Sequence, residues 1–119
     1  HAEALDLWQS AAEVARLAAA AREGRITRGE LSGSTITITS LGPIGGIVTT
    51  PIINAPEVAI VGVNRIVERP MIRGGGVVPR QLMNLSSSFD HRVVDGHVAA
   101  QFVQALRRLL ETPGLLFVG

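Results

Sequence analysis

Three histidines, His1, His91 and His97, are the only side chains here whose ordinary pKa puts a charge change near neutral pH. His1 is terminal and His97 opens a helical pattern, so both read as solvated surface imidazoles. His91 differs in its setting. It follows the stretch Ser86-Ser87-Ser88-Phe89 and precedes Arg92-Val93-Val94-Asp95-Gly96, where a serine-rich strand gives way through a tight turn to a helix. Side chains on loops held between rigid elements are where sites form. An imidazole placed there can serve as a general base.

Several chemistries fail on residue type. His91 and Asp95 are both metal-binding types, but a catalytic zinc site usually takes three protein ligands, and no cysteine or second clustered histidine accompanies them. We therefore expect no metal. A Ser-His-Asp hydrolase lacks its Gly-x-Ser-x-Gly elbow. Gly42-Pro43-Ile44-Gly45-Gly46 is no phosphate cradle, since no lysine follows and Pro43 removes a backbone donor. All eleven basic residues are arginine, so this segment carries neither a lipoyl group nor a Schiff base, both of which need an ε-amine. A net charge of +1, with basic residues spread along the chain, leaves no footprint for nucleic acid. No cysteine is present, which is compatible with a reducing, cytoplasmic setting. No apolar run is long enough to cross a bilayer.

The elements that must position His91 are legible in the pattern. A length of 119 residues, 46% of them apolar, predicts one domain with a single hydrophobic core. From Leu5 to Glu23, apolar residues at Leu7, Ala11, Val14, Ala18 and Ala21 recur at helical spacing, with Trp8, Ala12, Ala15 and Ala19 as a second stripe and Gly24 as the stop. Arg25–Gly33 reads as a connector holding one helical turn. Ser34–Ser40 alternates Thr35, Thr37 and Thr39 with Ile36 and Ile38, a strand with one face all hydroxyl. Leu41–Pro56, rich in glycine and proline, is a long ordered loop. Val58–Val63 suits a central strand. Asn64–Ile72 and Val77–Leu85 pair as antiparallel strands across Gly74-Gly75-Gly76. His97–Glu111, with Val98, Phe102, Val103, Leu106, Leu109 and Leu110 on one stripe, is the last helix, ended by Pro113-Gly114. Helix, four strands and helix make an α/β layer with a mixed sheet.

Three blocks in this order carry a resemblance: Thr39-Ser40-Leu41-Gly42-Pro43-Ile44-Gly45-Gly46, Thr50-Pro51-Ile52-Ile53-Asn54-Ala55-Pro56-Glu57-Val58-Ala59-Ile60, and Ser86 to Ser88 with Phe89-Asp90-His91-Arg92-Val93-Val94-Asp95-Gly96. The chain resembles the C-terminal half of the catalytic domain in the acyltransferase component of 2-oxo acid dehydrogenase complexes, over essentially its whole length. The bare His-x-x-x-Asp-Gly is shared with chloramphenicol acetyltransferases and peptide-synthetase condensation domains, which lack the other two blocks.

The resemblance implies a chloramphenicol acetyltransferase-like two-layer fold, of which residues 1–119 are the C-terminal part, with the lipoyl and peripheral-subunit-binding domains outside this chain. It implies transfer of an acyl group, branched-chain or acetyl, between dihydrolipoamide and coenzyme A, the wording of the motifs leaning toward branched-chain. His91 would be the general base, Thr39 the hydroxyl donor to the oxyanion, and Asp95 a structural acid that holds the turn through an ion pair with Arg92 or with a residue of another chain. Ser40, Gly42 and Ser88 are candidates to border the coenzyme A channel. Relatives form homotrimers with the site between subunits, assemble into larger cores, and work with 2-oxo acid dehydrogenase and dihydrolipoamide dehydrogenase components. Thr39 and His91 of one chain should then lie apart, and the last helix and Leu115–Val118 should be contact surface. The alternatives are a core-forming scaffold without catalysis, disfavoured by the presence of His91, and an antibiotic acetyltransferase, disfavoured by the glycine and proline blocks.

Overall fold

A computed structural model describes residues 1–118. Instead of the single core expected from chain length, they divide into two compact units, His1–Ser34 and Thr35–Gly119. The first unit is built on one helix, most of whose wide apolar arc is exposed.

That helix, α1 (Leu7–Arg22), starts at a reciprocal cap: Asp6 accepts from the Gln9 backbone N–H while the Gln9 side chain accepts from the Asp6 N–H. It ends at Gly24, whose positive φ of 67° lets the Arg25 N–H return to the Ala20 carbonyl. Only Ala20 is buried, while Leu7, Trp8 and Val14, all on the expected stripes, are 61%, 84% and 68% exposed. The connector does hold one turn. The Glu30 carboxylate accepts from the Thr27 N–H and hydroxyl at 2.8 Å each, and takes Arg16 of the helix at 2.7 Å.

In the second unit, β1 (Thr37–Ser40), β2 (Ala59–Val63) and the serine-rich β5 (Leu85–Phe89) form a mixed sheet in the order β1-β2-β5, with β1 parallel and β5 antiparallel to β2. The central strand is the core, with Ala59, Ile60 and Val61 at most 8% exposed, as its unbroken apolar run requires. The edge strand β1 is shorter than the expected Ser34–Ser40, and its polarity is unusual. The threonine side is half-buried and Ile38 is 73% exposed. A buried acid accounts for this: Glu57 accepts a hydrogen bond from the Thr37 hydroxyl at 2.6 Å, and a buried carboxylate needs such partners.

β3 (Val67–Arg73) and β4 (Gly76–Leu82) form a separate two-stranded ribbon, turning through Gly74 and Gly75, both at positive φ. The expected strand Val77–Leu85 is thus divided at Met83-Asn84, and the described residues hold five strands where four were expected. Helix α2 (Gly96–Glu111) lies against β5, where Phe102 meets Phe89 edge-to-face with ring centroids 6.0 Å apart. Its half-buried stripe is Ala99, Val103, Leu106 and Leu109. A short 3-10 helix, Pro113–Phe117, follows, and Leu116, Phe117 and Val118 are exposed.

Candidate active site

His91 stands in the turn between β5 and α2. The strand pairing runs on to Asp90, whose N–H donates to the Val58 carbonyl at 2.8 Å. The Asp90 carbonyl then accepts from the N–H groups of Val93 and Val94, closing the turn around an exposed imidazole. The Asp90 carboxylate accepts from the Arg92 backbone N–H at 3.0 Å and from its guanidinium at 2.6 to 3.2 Å. These hydrogen bonds, the guanidinium's foremost, hold the Asp90 carboxyl down at about 2. Arg92 is therefore not the partner of Asp95, which corrects one of the two pairings considered. Asp95 has a different role: it caps α2, accepting the Val98 N–H at 2.8 Å.

Thr39 lies at the other end of the sheet. It pairs with Gly62 of β2, whereas the turn bearing His91 lies beyond the Ala59 end. Five residues along and two strands across place the two roughly 15–20 Å apart. Thr39 lines a hollow of about 190 Å³ with Ser40, Thr49, Pro51 and Asn64. This adjoins a second hollow of about 430 Å³, lined by Ser40, Gly42, Pro43, Asn64, Arg65 and Met83. Of the three residues proposed to border a coenzyme A channel, Ser40 and Gly42 are thus gathered near Thr39. Ser88 lines neither hollow; opposite Ile60 in the sheet, its hydroxyl donates to the Pro51 carbonyl at 2.6 Å.

The residues that hold the glycine-proline loop in place do not stand out in the sequence. Asn64 and Ser86 anchor it, and Gly62 makes room for it. A Cβ on Gly62 would stand 2.8 Å from the Thr49 hydroxyl oxygen and 3.2 Å from the Ser86 carbonyl. Gly62 and Asn64, a glycine and a polar amide within and just after an apolar run, were the available signal. Thr49 Oγ1, Asn64 Oδ1 and Ser87 Oγ are buried without a protein partner among the described residues. Among the described residues, no group of three or more His, Cys, Asp or Glu is placed to hold a metal, and no helix is long and apolar enough to cross a membrane.

The chain is similar to proteins of one family. The family of 2-oxoacid dehydrogenases acyltransferase (catalytic domain) matches residues 1–118. The lipoamide acyltransferase component of the branched-chain alpha-keto acid dehydrogenase complex of Pseudomonas aeruginosa is 70% identical over 118 residues, covering 99% of this chain and 28% of that protein. The Azotobacter vinelandii dihydrolipoamide acetyltransferase, studied for the role of one serine, one histidine and one asparagine in its catalytic mechanism, superposes with a TM-score of 0.90 at 42% identity, covering 95% of this chain and 46% of that one. The cubic core of the pyruvate dehydrogenase multienzyme complex gives a TM-score of 0.90 at 43% identity, with the same coverage. The chain spans about half the length of these solved relatives and little more than a quarter of the curated one. Its mixed α/β architecture is that of these chloramphenicol acetyltransferase-like catalytic cores over the shared half, and the chain belongs to the 2-oxoacid dehydrogenase acyltransferase family.

Proposed function

We propose that this chain contributes to acyl transfer between dihydrolipoamide and coenzyme A, with a branched-chain acyl group as substrate. One observation carries the site assignment. Thr39, His91 and Asp95 stand at the same sequence intervals as the serine, histidine and asparagine studied in the Azotobacter acetyltransferase. The acyl preference follows from the 70% identity to a branched-chain component, against 42% to that acetyltransferase.

In the reaction, the coenzyme A thiol must lose its proton. An ordinary thiol near pKa 8.5 costs about 2 kcal/mol to ionise at pH 7. His91 takes that proton as the sulfur attacks the thioester carbonyl of S-acyldihydrolipoamide. The tetrahedral oxyanion accepts a hydrogen bond from the Thr39 hydroxyl, and the imidazolium then protonates the departing dihydrolipoyl sulfur. Asp95 transfers no proton: by capping α2 it holds the turn that presents His91. Thr39 and His91 of one chain are too far apart to act on one carbonyl, so Thr39 would work with the histidine of a neighbouring copy, in a homotrimer built into a larger core. The two hollows around Ser40 and Asn64 suit the narrow arm of coenzyme A. The lipoyl group would arrive on a separate domain, and the oxidative partners would be 2-oxo acid dehydrogenase and dihydrolipoamide dehydrogenase components.

The test supplies the full-length, assembled protein with coenzyme A and, separately, isobutyryl-dihydrolipoamide, acetyl-dihydrolipoamide and acetyl-coenzyme A with chloramphenicol. The highest kcat/KM is expected with isobutyryl-dihydrolipoamide. No turnover with any donor would favour a scaffold, and preference for chloramphenicol would overturn the reading.

A further inference from the structure

We infer that Asn64 is a positioning residue for acyl transfer, acting through Ser86 and Thr49 on the hollow that holds Thr39. The inference rests on the oxyanion role proposed above for Thr39. Asn64 follows β2 and is 5% exposed. Its Nδ2 donates both to the Asn84 carbonyl and to the Ser86 hydroxyl oxygen, each at 2.9 Å. Ser86 Oγ also accepts the Thr49 N–H at 3.2 Å, and Asn84 Nδ2 donates to the Ile47 carbonyl at 2.9 Å. One carboxamide thereby ties together the end of β2, the start of β5 and the glycine-proline loop.

That loop shapes the surroundings of Thr39. Gly62, the strand partner of Thr39, lies directly under Thr49 and Pro51, whose atoms would stand 2.8 and 3.7 Å from an added Cβ. Thr39, Thr49, Pro51 and Asn64 line one hollow together. Without the Asn64 amide, Ser86 Oγ loses one of the two N–H donors that fix its rotamer and can turn away from Thr49. The wall over Gly62 then loosens. A hydrogen-bond donor for an oxyanion acts through preorganisation, so a small displacement of its setting weakens the transition state more than the ground state. The amide is specific in kind: an aspartate would set a carboxylate oxygen against the Asn84 carbonyl, two acceptors facing each other.

The experiment uses the full-length, assembled enzyme and compares Asn64→Ala, Ser86→Ala, Thr39→Val and the double variant Asn64→Ala/Thr39→Val. Asn64→Ala is expected to lower kcat about 10- to 100-fold while the KM for coenzyme A moves less than about threefold. Ser86→Ala should lower kcat in the same sense. The double variant should be no slower than Thr39→Val alone, because the positioning effect is spent through Thr39. Losses that multiply would overturn the positioning role, and so would an unchanged kcat in Asn64→Ala. If Asn64→Ala does not fold, Ser86→Ala with Ser86→Ala/Thr39→Val makes the same test. Thr39→Val at full rate would remove the oxyanion reading itself, an outcome separate from slow Thr39→Val with multiplying losses.

Discussion

Asp90 grips Arg92 through both backbone and guanidinium, inside the turn that carries His91. With its carboxyl held at about 2 against an ordinary value of 3.8, the pair adds stability above pH ~4 that is lost as pH falls toward 2. Arg92 is largely exposed, so solvent screens the pair and the effect is small. Asp90→Asn should flatten the acid limb of the stability curve between those limits. Thermal unfolding of both proteins across pH 2 to 5 checks this; identical acid limbs would mean the pair contributes nothing.

Asp95→Ala removes the cap of α2 and should cost about 0.5–2 kcal/mol of stability, while Asp95→Asn keeps a good cap and should cost only a few tenths. Activity should follow the same order if the cap is what matters for His91. Loss of activity in Asp95→Asn with unfolding unchanged would instead point to an ion pair with another chain.

His91→Ala in the assembled enzyme should lower kcat by roughly 10²- to 10⁴-fold, measured as thioester formation with acyl-dihydrolipoamide. Near-normal turnover would exclude His91 as the base.

Gly62→Ala should destabilise the fold by about 1–3 kcal/mol, since its Cβ meets Thr49 at 2.8 Å and the Ser86 backbone at 3.2 Å. Chemical denaturation gives the cost. Stability equal to wild type would mean that the loop moves aside freely.

Local periodicity revealed most of the elements. The helices α1 and α2, the central strand and the glycine turn at Gly74-Gly75 follow directly from spacing, and the His91 turn follows from the abrupt change between Phe89 and Gly96. What escaped depends on distant partners. Thr37 of β1 turns inward because Glu57, 20 residues on, is buried beside it, and no local pattern encodes that. The break at Met83-Asn84 is invisible because Val77–Leu85 continues to favour extended chain, and only the switch from the ribbon to the sheet ends it. Asn64 reads locally as the first residue of a strand, while its role lies in Ser86 and Asn84, about 20 residues away. The first helix misled for the opposite reason: its apolar arc is genuine, but most of it remains in solvent.

The ribbon sets Arg69 directly opposite Arg80, and neither has an ion pair among the described residues. In the first unit, Arg16 bridges Glu13 and Glu30. Dissolved electrolyte weakens attraction and repulsion alike, with a screening length of about 10 Å at 0.1 M. Added salt should therefore ease the hairpin, where like charges meet across the strands, and loosen the clasp between α1 and the Thr27–Glu30 turn, so these two elements carry opposite ionic-strength responses.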